Sequence, residues 1–429
     1  MHFDTLTGWL KWQEGFHPLT IDLGLERANE VFTALNPNKT KPLTITVAGT
    51  NGKGSCIAYL EAIYLAQGYK VGAYTSPHIL KYNERIKING AQVSDEDICA
   101  AFARIEEVRS DHSLSYFEFG TLAAIDIFWR ANLDIQLLEV GLGGRLDVVN
   151  IIDPDIAIIS SIGIDHVNWL GSTREAIGAE KAGIFRPHVP AIVGDPQPPQ
   201  SVLNHAKKLD ADLYCLGKEF GFDKTSVAET WSWWMSNCLI EHLPVPNLKG
   251  AHQFRNASAV ILATQLLAKQ LPVTQQALNF GLQHVELAGR FQLIHRDNRL
   301  VLLDVGHNPE AVTTLAAYLA DYFPTQQIYA VFAMMKDKDI ISVLNIMKPN
   351  VKHWFFSPLT NARACVESSM RELFLHADMT NVSFGFSDFT EAFDAAKSQT
   401  QAEDIILVFG SFFLISDCLH EFEKGEITQ

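Results

Sequence analysis

Positive charge is scarce in this chain: 34 Lys and Arg face 49 Asp and Glu over 429 residues, a formal net charge of -15. A surface of that sign repels a phosphate backbone, so nucleic acid is not expected as a partner and anionic ligands must be met by cations gathered locally. Cysteine is scarce too. The six present (Cys56, Cys99, Cys215, Cys238, Cys365, Cys418) are scattered, with no Cys-x-x-Cys pair, which indicates neither a zinc site nor a disulfide framework and suits small core residues of a reducing compartment. Polar residues or proline interrupt every apolar run before membrane-spanning length, and Met1-His2-Phe3-Asp4 lacks the basic and apolar regions of a signal peptide. A cytoplasmic protein with no membrane partner is expected. The chain also lacks internal repeats, low-complexity tracts and charge runs. Finally, the strict nucleotide motif is missing, because it needs glycine and a hydroxyl residue where Val47 and Gly54 stand.

What is present has the layout of that motif. Thr44 to Ala48 is a short apolar run that breaks into Gly49-Thr50-Asn51-Gly52-Lys53-Gly54-Ser55, and Ile57, Leu60, Ile63, Tyr64 and Ala66 follow at helical spacing until Gly68. Glycines let backbone N–H groups close around phosphate oxygens, a helix start adds unpaired donors, and Lys53 supplies a mobile charge. Ser55 can hold a magnesium ion. A length of 429 residues exceeds one ordinary core, so two domains are expected.

Before the loop, two helices are expected within residues 1–40, joined by Thr20-Ile21-Asp22-Leu23-Gly24, where Thr20 or Asp22 can cap the second helix or meet a ligand. After it, strands alternate with helices, and polar residues close the strands. Ser76 and His78 follow one strand, where Pro77 alone would explain a turn; Glu139 ends another; Asp165 and His166 follow a third. Taken singly, His166 suits a core histidine and Lys181 a solvated helix residue. A parallel sheet, however, gathers Ser55, Ser76, Glu139 and His166 along one edge. Ser115-Tyr116-Phe117-Glu118 opens a further helix, and glycines at 141, 143 and 144 let backbone pass close to a ligand. Trp231, Trp233 and Trp234 suggest hairpin strands packed on the domain. Asn256 stands at the opening of a long apolar helix, as a cap or a base contact. Past Arg290 the alternation restarts, its first strand closing with Asp304-Val305-Gly306-His307-Asn308-Pro309. The expected fold is α/β in two domains: residues 1–288, a phosphate-loop nucleotide-binding domain with a mostly parallel sheet, and 289–429, a Rossmann-like α/β domain.

The stretches Thr46 to Ser55, Thr75 to His78, Leu138 to Asn150, Ser161 to His166, Gly178 to Ile184, Gly289 to Gln292 and Asp304 to Pro309 together resemble the motifs of the folylpolyglutamate synthases of the Mur ligase superfamily. Thr20 to Arg27 and Ser115 to Gly120 look like the pteroate-binding loops of the bifunctional bacterial enzymes, which are also dihydrofolate synthases. The resemblance implies ATP on Gly49 to Ser55, Asn256, Arg290 and Asp304, between the two domains, with Lys53 on the terminal phosphates. It implies magnesium on Ser76, Glu139 and His166, with Ser55 close by, and Lys181 as the lysine the family carbamylates into an anionic ligand. Thr20, Ile21, Asp22, Leu23, Ser115, Tyr116, Phe117, Glu118, Leu146, Asp147 and Val148 would meet pteroate or folate, and His307 and Ser411 the incoming glutamate. This chain departs from the family at Val148-Val149, where Ala-Thr is usual, at Gly306, where alanine is usual, and at Ser55, where threonine is common.

The activity so implied is ATP-dependent addition of L-glutamate to dihydropteroate and to reduced folates through an acyl phosphate, by a monomer whose partners are small molecules. Lys53, Glu139, His166 and Lys181 are the expected catalytic set. The alternative within the family is a monofunctional folylpolyglutamate synthase that cannot accept dihydropteroate, against which the Thr20 to Arg27 loop argues; a Mur-type ligase of UDP-linked precursors would carry a separate domain ahead of the phosphate loop, where this chain has 48 residues. A non-enzymatic ATP-gated module would not need Glu139, His166 and Lys181.

Overall fold

A computed structural model of the chain describes residues 3–17, 21–35, 40–224 and 230–427. The chain divides into two compact units. The first takes Met1–Gly163, Val167–Asn247 and Gln253–Val285, and the second Glu286–Gln429 together with Ile164–His166 and Leu248–His252. A single cut at 288/289 differs from this division in those two short segments and in Glu286–Ala288, all of which group with the second unit.

The first unit is built on eight strands: β1 (Leu43–Ala48), β2 (Val71–Tyr74), β3 (Ile86–Ile88), β4 (Ala91–Gln92), β5 (Ile135–Glu139), β6 (Ile156–Ile159), β7 (Pro190–Val193) and β8 (Asp212–Cys215), in the order β4-β3-β2-β5-β1-β6-β7-β8. All pairings are parallel except those of β3 with β2 and β4. Helices cover a parallel sheet on both faces, which is why β5 and β6 are buried along their whole length and read as apolar runs. A polar residue inside β5 is matched from the next strand: Gln136 donates through Nε2 to Thr44 Oγ1 at 2.9 Å, its neighbour in register on β1. Helix Lys53–Gln67 returns along the sheet from the end of β1. On its outer side, helix Gln275–His284 approaches so closely that a Cβ at Gly281 would lie 2.8 Å from the Ile63 backbone nitrogen.

A small antiparallel sheet follows, β9 (Phe220–Lys224), β10 (Thr230–Met235) and β11 (Cys238–Pro244), with β10 in the middle. Here the hairpin expectation holds, and the tryptophans alternate as a strand requires. Trp231 and Trp233 are fully buried, their indole N–H groups donating to Pro244 O at 2.8 Å and Ser258 O at 3.1 Å.

The second unit carries β12 (Gln292–Arg296), β13 (Arg299–Asp304), β14 (Ile328–Phe332), β15 (Val351–Phe356), β16 (Val382–Ser383) and β17 (Ile405–Phe409) in the order β12-β13-β17-β14-β15-β16. Only β12 runs antiparallel. Among the described residues no helix is long and apolar enough to cross a membrane, and all six cysteines are free.

Candidate active site

In the first unit, strand register brings the polar strand ends together. Val47 on β1 pairs with Glu139 on β5, and Ala48 with Ile159 on β6, so the phosphate loop starts between Glu139 and Ser160. The loop is tied to its neighbour throughout. Thr50 N donates to Ser161 O at 2.9 Å, Asn51 N to Ser161 Oγ at 3.1 Å, and Ser160 Oγ to Asn51 O at 2.7 Å. Glycine is required at two points. A Cβ at Gly49 would lie 2.0 Å from Ser160 Oγ, and Gly52, the N-cap of helix Lys53–Gln67 at φ 87°, would bring one within 2.7 Å of Asn256 Oδ1. Lys53 Nζ donates to Gly49 O at 3.0 Å and Thr50 O at 3.4 Å, which poises the amine over the concave side of the loop.

Asn256 lies in the second turn of helix His252–Leu266 and therefore does not cap it. It donates to Gln253 Oε1 at 3.0 Å, and Gln253, 1% exposed, donates to Ser55 Oγ at 3.3 Å. Gln253 thus links the helix to the loop, a role that its place in an apolar helix did not reveal.

Glu139, 4% exposed, accepts from the Ser76 backbone N–H at 3.2 Å, and β2 beside β5 delivers Ser76 to that point. His78 points elsewhere: its Nδ1 accepts from Arg85 Nε at 2.8 Å, and burial, with Arg85 beside it, lowers its pKa to about 4. Lys181 is 3% exposed in the last turn of helix Arg174–Ala182, against which the glycine loop docks through Arg145 N donating to Glu180 O at 2.8 Å. Asp147 braces that loop by accepting from Leu142 N and Val149 N at 2.8 and 2.9 Å. Burial raises its pKa to about 6 against these bonds and the nearby Lys53 charge. Val148 is buried beside it and Leu146 half-buried.

Of the acceptor loop, Thr20 lies outside the described residues; Ile21, Asp22 and Leu23 are half-buried. Asp22 is held sideways by Arg27 and His17. Ser115 caps helix Tyr116–Arg130 in a capping box with Glu118, and the Phe117 ring lies against Gly141. Tyr116 packs edge-on against Tyr82.

In the second unit, Asp304 ends β13 and accepts from Gly306 N at 2.8 Å and Phe291 N at 3.2 Å. Burial raises its pKa to about 6, opposed by the Arg290 guanidinium. Arg290 itself lies over the Phe412 ring, 5.1 Å from its centroid. Ser411 Oγ accepts from Phe413 N at 3.2 Å at the start of helix Phe412–Ile427. His307 Nδ1 bonds Val305 O at 2.8 Å and its Nε2 faces Asp165 at 3.5 Å. Asp165 also accepts from Lys338 Nζ at 2.6 Å and Asn308 Nδ2 at 3.2 Å. Burial disfavours its charge, but His307 and Lys338 overcome this and hold the carboxyl well below the usual range. His166, next in the chain, takes a left-handed φ of 52° with its N–H on Asp165 Oδ1. Asp165 adjoins a motif residue and was findable there; nothing in the sequence around Lys338 marks it.

A phosphate loop on a parallel sheet, a buried carboxylate beside it and a second α/β unit define an ATP-dependent ligase of the Mur type. The Mur ligase middle domain matches residues 47–264, and the Mur ligase glutamate ligase domain residues 289–412. At finer grain, the chain belongs to the dihydrofolate synthase/folylpolyglutamate synthase family. It is 40% identical to that protein of Escherichia coli over 96% of this chain and 94% of the relative, and 39% identical to that of Haemophilus influenzae over 96% of each. Among solved structures, Escherichia coli FolC in complex with DHPP and ADP superimposes with a TM-score of 0.92 at 39% identity, covering 99% of both chains. A bifunctional folylpolyglutamate synthase/dihydrofolate synthase with Mn, AMPPNP and L-glutamate bound gives 0.89 at 40% identity over 98% of both.

Proposed function

We propose that this chain joins L-glutamate to 7,8-dihydropteroate, and further glutamates to reduced folates, using ATP. The observation that carries the site assignment is the register that sets the phosphate loop beside buried Glu139. ATP is assigned to Gly49 through Ser55, Asn256, Arg290 and Asp304; the acceptor to Thr20–Leu23, Ser115–Glu118 and Leu146–Val148; glutamate to His307 and Ser411. Residues 1–288 would bind ATP and pteroate, and 289–429 would carry the glutamate ligase domain. Six free thiols support a reducing, cytoplasmic setting, and a monomer with small-molecule partners is assigned.

The donors present fit a hard divalent cation. Among the described residues no three His, Cys, Asp or Glu side chains gather into a metal cluster, so soft or all-protein coordination is disfavoured. A carboxylate and two hydroxyls completed by phosphate oxygens suit magnesium instead. Glu139, Ser55, Ser76, His166 and Lys181 as its carbamate would hold it; carbamylation replaces a buried cation with an anion. Bound magnesium would supply charge neutralisation on the phosphate oxygens.

A carboxylate is a poor electrophile at neutral pH, and ATP activates it. The acceptor carboxylate attacks the γ-phosphorus, ADP leaves, and an acyl phosphate forms. The glutamate α-amine then attacks the acyl carbon, forming the amide and expelling inorganic phosphate. Lys53 moves from the Gly49 and Thr50 carbonyls onto the terminal phosphates and follows the charge as it develops. Loop N–H groups hold the remaining phosphate oxygens.

The test is ATP- and magnesium-dependent phosphate release with L-glutamate, comparing dihydropteroate with a reduced folate. Release with both is expected; release with the folate alone removes the dihydropteroate half, and release with neither removes the reading. Lys53→Ala and Glu139→Ala should each lower kcat by roughly a hundredfold or more while the chain still folds. Near-normal rates in either would end its assignment.

A further inference from the structure

Arg27 has no part in the chemistry above, yet it joins the two segments assigned to the acceptor. It stands in the first turn of helix Glu26–Leu35, and each nitrogen of its guanidinium donates a hydrogen bond. Nε donates to Glu118 Oε1 at 2.8 Å, Nη1 to Asp22 Oδ2 at 2.5 Å and Nη2 to Asp22 O at 2.9 Å. The same Asp22 oxygen also pairs with His17 Nε2 at 3.2 Å, and His17 Nδ1 pairs with Ser113 Oγ at 2.7 Å. The second oxygen of Glu118 accepts the Ser115 N–H at 2.7 Å. Both Glu118 oxygens are therefore committed, and the side chain, 4% exposed, is buried as one half of an ion pair with Arg27.

This arrangement has a direction. Asp22 and the helix start at Ser115 are distant in sequence and share no strand; Arg27, His17 and Glu118 bind them side by side. Phe117, one residue before Glu118, lies against Gly141 of the glycine loop that leads to Asp147. A displacement of Glu118 moves the helix start, then the Phe117 ring, then the wall made by that loop. None of the hydrogen bonds and ring contacts just named is made by Gly49 through Ser55, and the two regions come near each other only where the Lys53 charge faces Asp147.

We propose that Arg27 is a positioning residue for the acceptor: it sets the spacing of the two acceptor segments and so the acceptor KM, without touching the reacting atoms. The inference rests on the acceptor assignment made above. A planar three-donor fork is what the task requires, and a lysine ammonium carries the charge without the fork.

The experiment compares wild type with Arg27→Gln and Arg27→Lys in the full chain, by phosphate release at varied dihydropteroate, ATP and L-glutamate. Arg27→Gln should raise the acceptor KM about tenfold or more, with kcat and the ATP KM within about twofold. Arg27→Lys should recover part of that loss. An unchanged acceptor KM, or ATP and acceptor KM rising in parallel, overturns the proposal. Should Arg27→Gln fail to fold, the same comparison with Arg27→Lys decides it. If wild type releases phosphate only with a reduced folate, the dihydropteroate reading has failed, and the comparison run with that folate still decides the role of Arg27.

Discussion

Replacing Gly52 with alanine tests whether the phosphate loop is held in shape by its neighbours or only by its own backbone. Helix Lys53–Gln67 is flanked by two left-handed glycines, Gly52 at φ 87° and Gly68 at φ 95°. Around Gly68 a Cβ would meet nothing within 4 Å, so Gly68→Ala reports backbone strain alone, about 1 kcal/mol. At Gly52 the same strain is joined by a collision, with Asn256 Oδ1 at 2.7 Å, Nδ2 at 3.1 Å and Cγ at 3.2 Å. The whole amide must move. An off-rotamer Asn256 adds about 1 kcal/mol, and losing its bond to Gln253 adds about another 1 kcal/mol. Gly52→Ala should therefore destabilise by about 3 kcal/mol against about 1 for Gly68→Ala. Urea unfolding followed by tryptophan fluorescence measures both, and ATP titration should show weaker binding in Gly52→Ala only. Equal losses for the two variants would refute the claim that Asn256 and Gln253 buttress the loop.

Asp304 supplies a pH test: its pKa is raised to about 6 by burial, so the folded state binds its proton more tightly than the unfolded chain does. Its contribution is most favourable below the ordinary carboxylate range and is lost as pH rises through about 6, so wild type should lose on the order of 3 kcal/mol relative to Asp304→Asn between pH 4 and 7. A flat difference across that range would exclude a raised pKa. Removing the buried partner of Asp165 with Lys338→Met should destabilise by about 3 kcal/mol, while Asp165→Asn with Lys338→Met should recover most of it; strict additivity would mean that the two side chains do not interact.

Parallel strands buried on both faces announce themselves as apolar runs, and β1, β5, β6, β13, β14 and β17 were legible for that reason. Three peripheral strands were not: β3 and β4 have three and two residues, too few for a pattern, and β12 at the sheet edge is half-buried and polar. The phosphate loop was readable without its strict motif, because a strand before it and a helix after it leave little else for those glycines to do. Asn256 was ambiguous because helix His252–Leu266 begins a turn earlier than its apolar residues suggest. Contacts between distant polar residues left no trace. Arg27 and Glu118 lie 91 positions apart, Asp165 and Lys338 173, and no periodicity links such pairs.

The close crossing of helix Gln275–His284 over helix Lys53–Gln67 also sets an order of events during synthesis. The early helix needs a cover made about two hundred residues later: Ile63 waits for Gly281, Gln67 Oε1 for the Thr274 N–H at 2.7 Å, and the Tyr69 hydroxyl for Pro272 O at 3.0 Å. A ribosome that has threaded β1 through β8 has made every strand of the large sheet and still cannot release a finished first unit. Until Val285 is clear of the exit tunnel, the nucleotide-binding helix presents an open flank, and translation arrested in that interval yields a chain that chaperones have reason to hold.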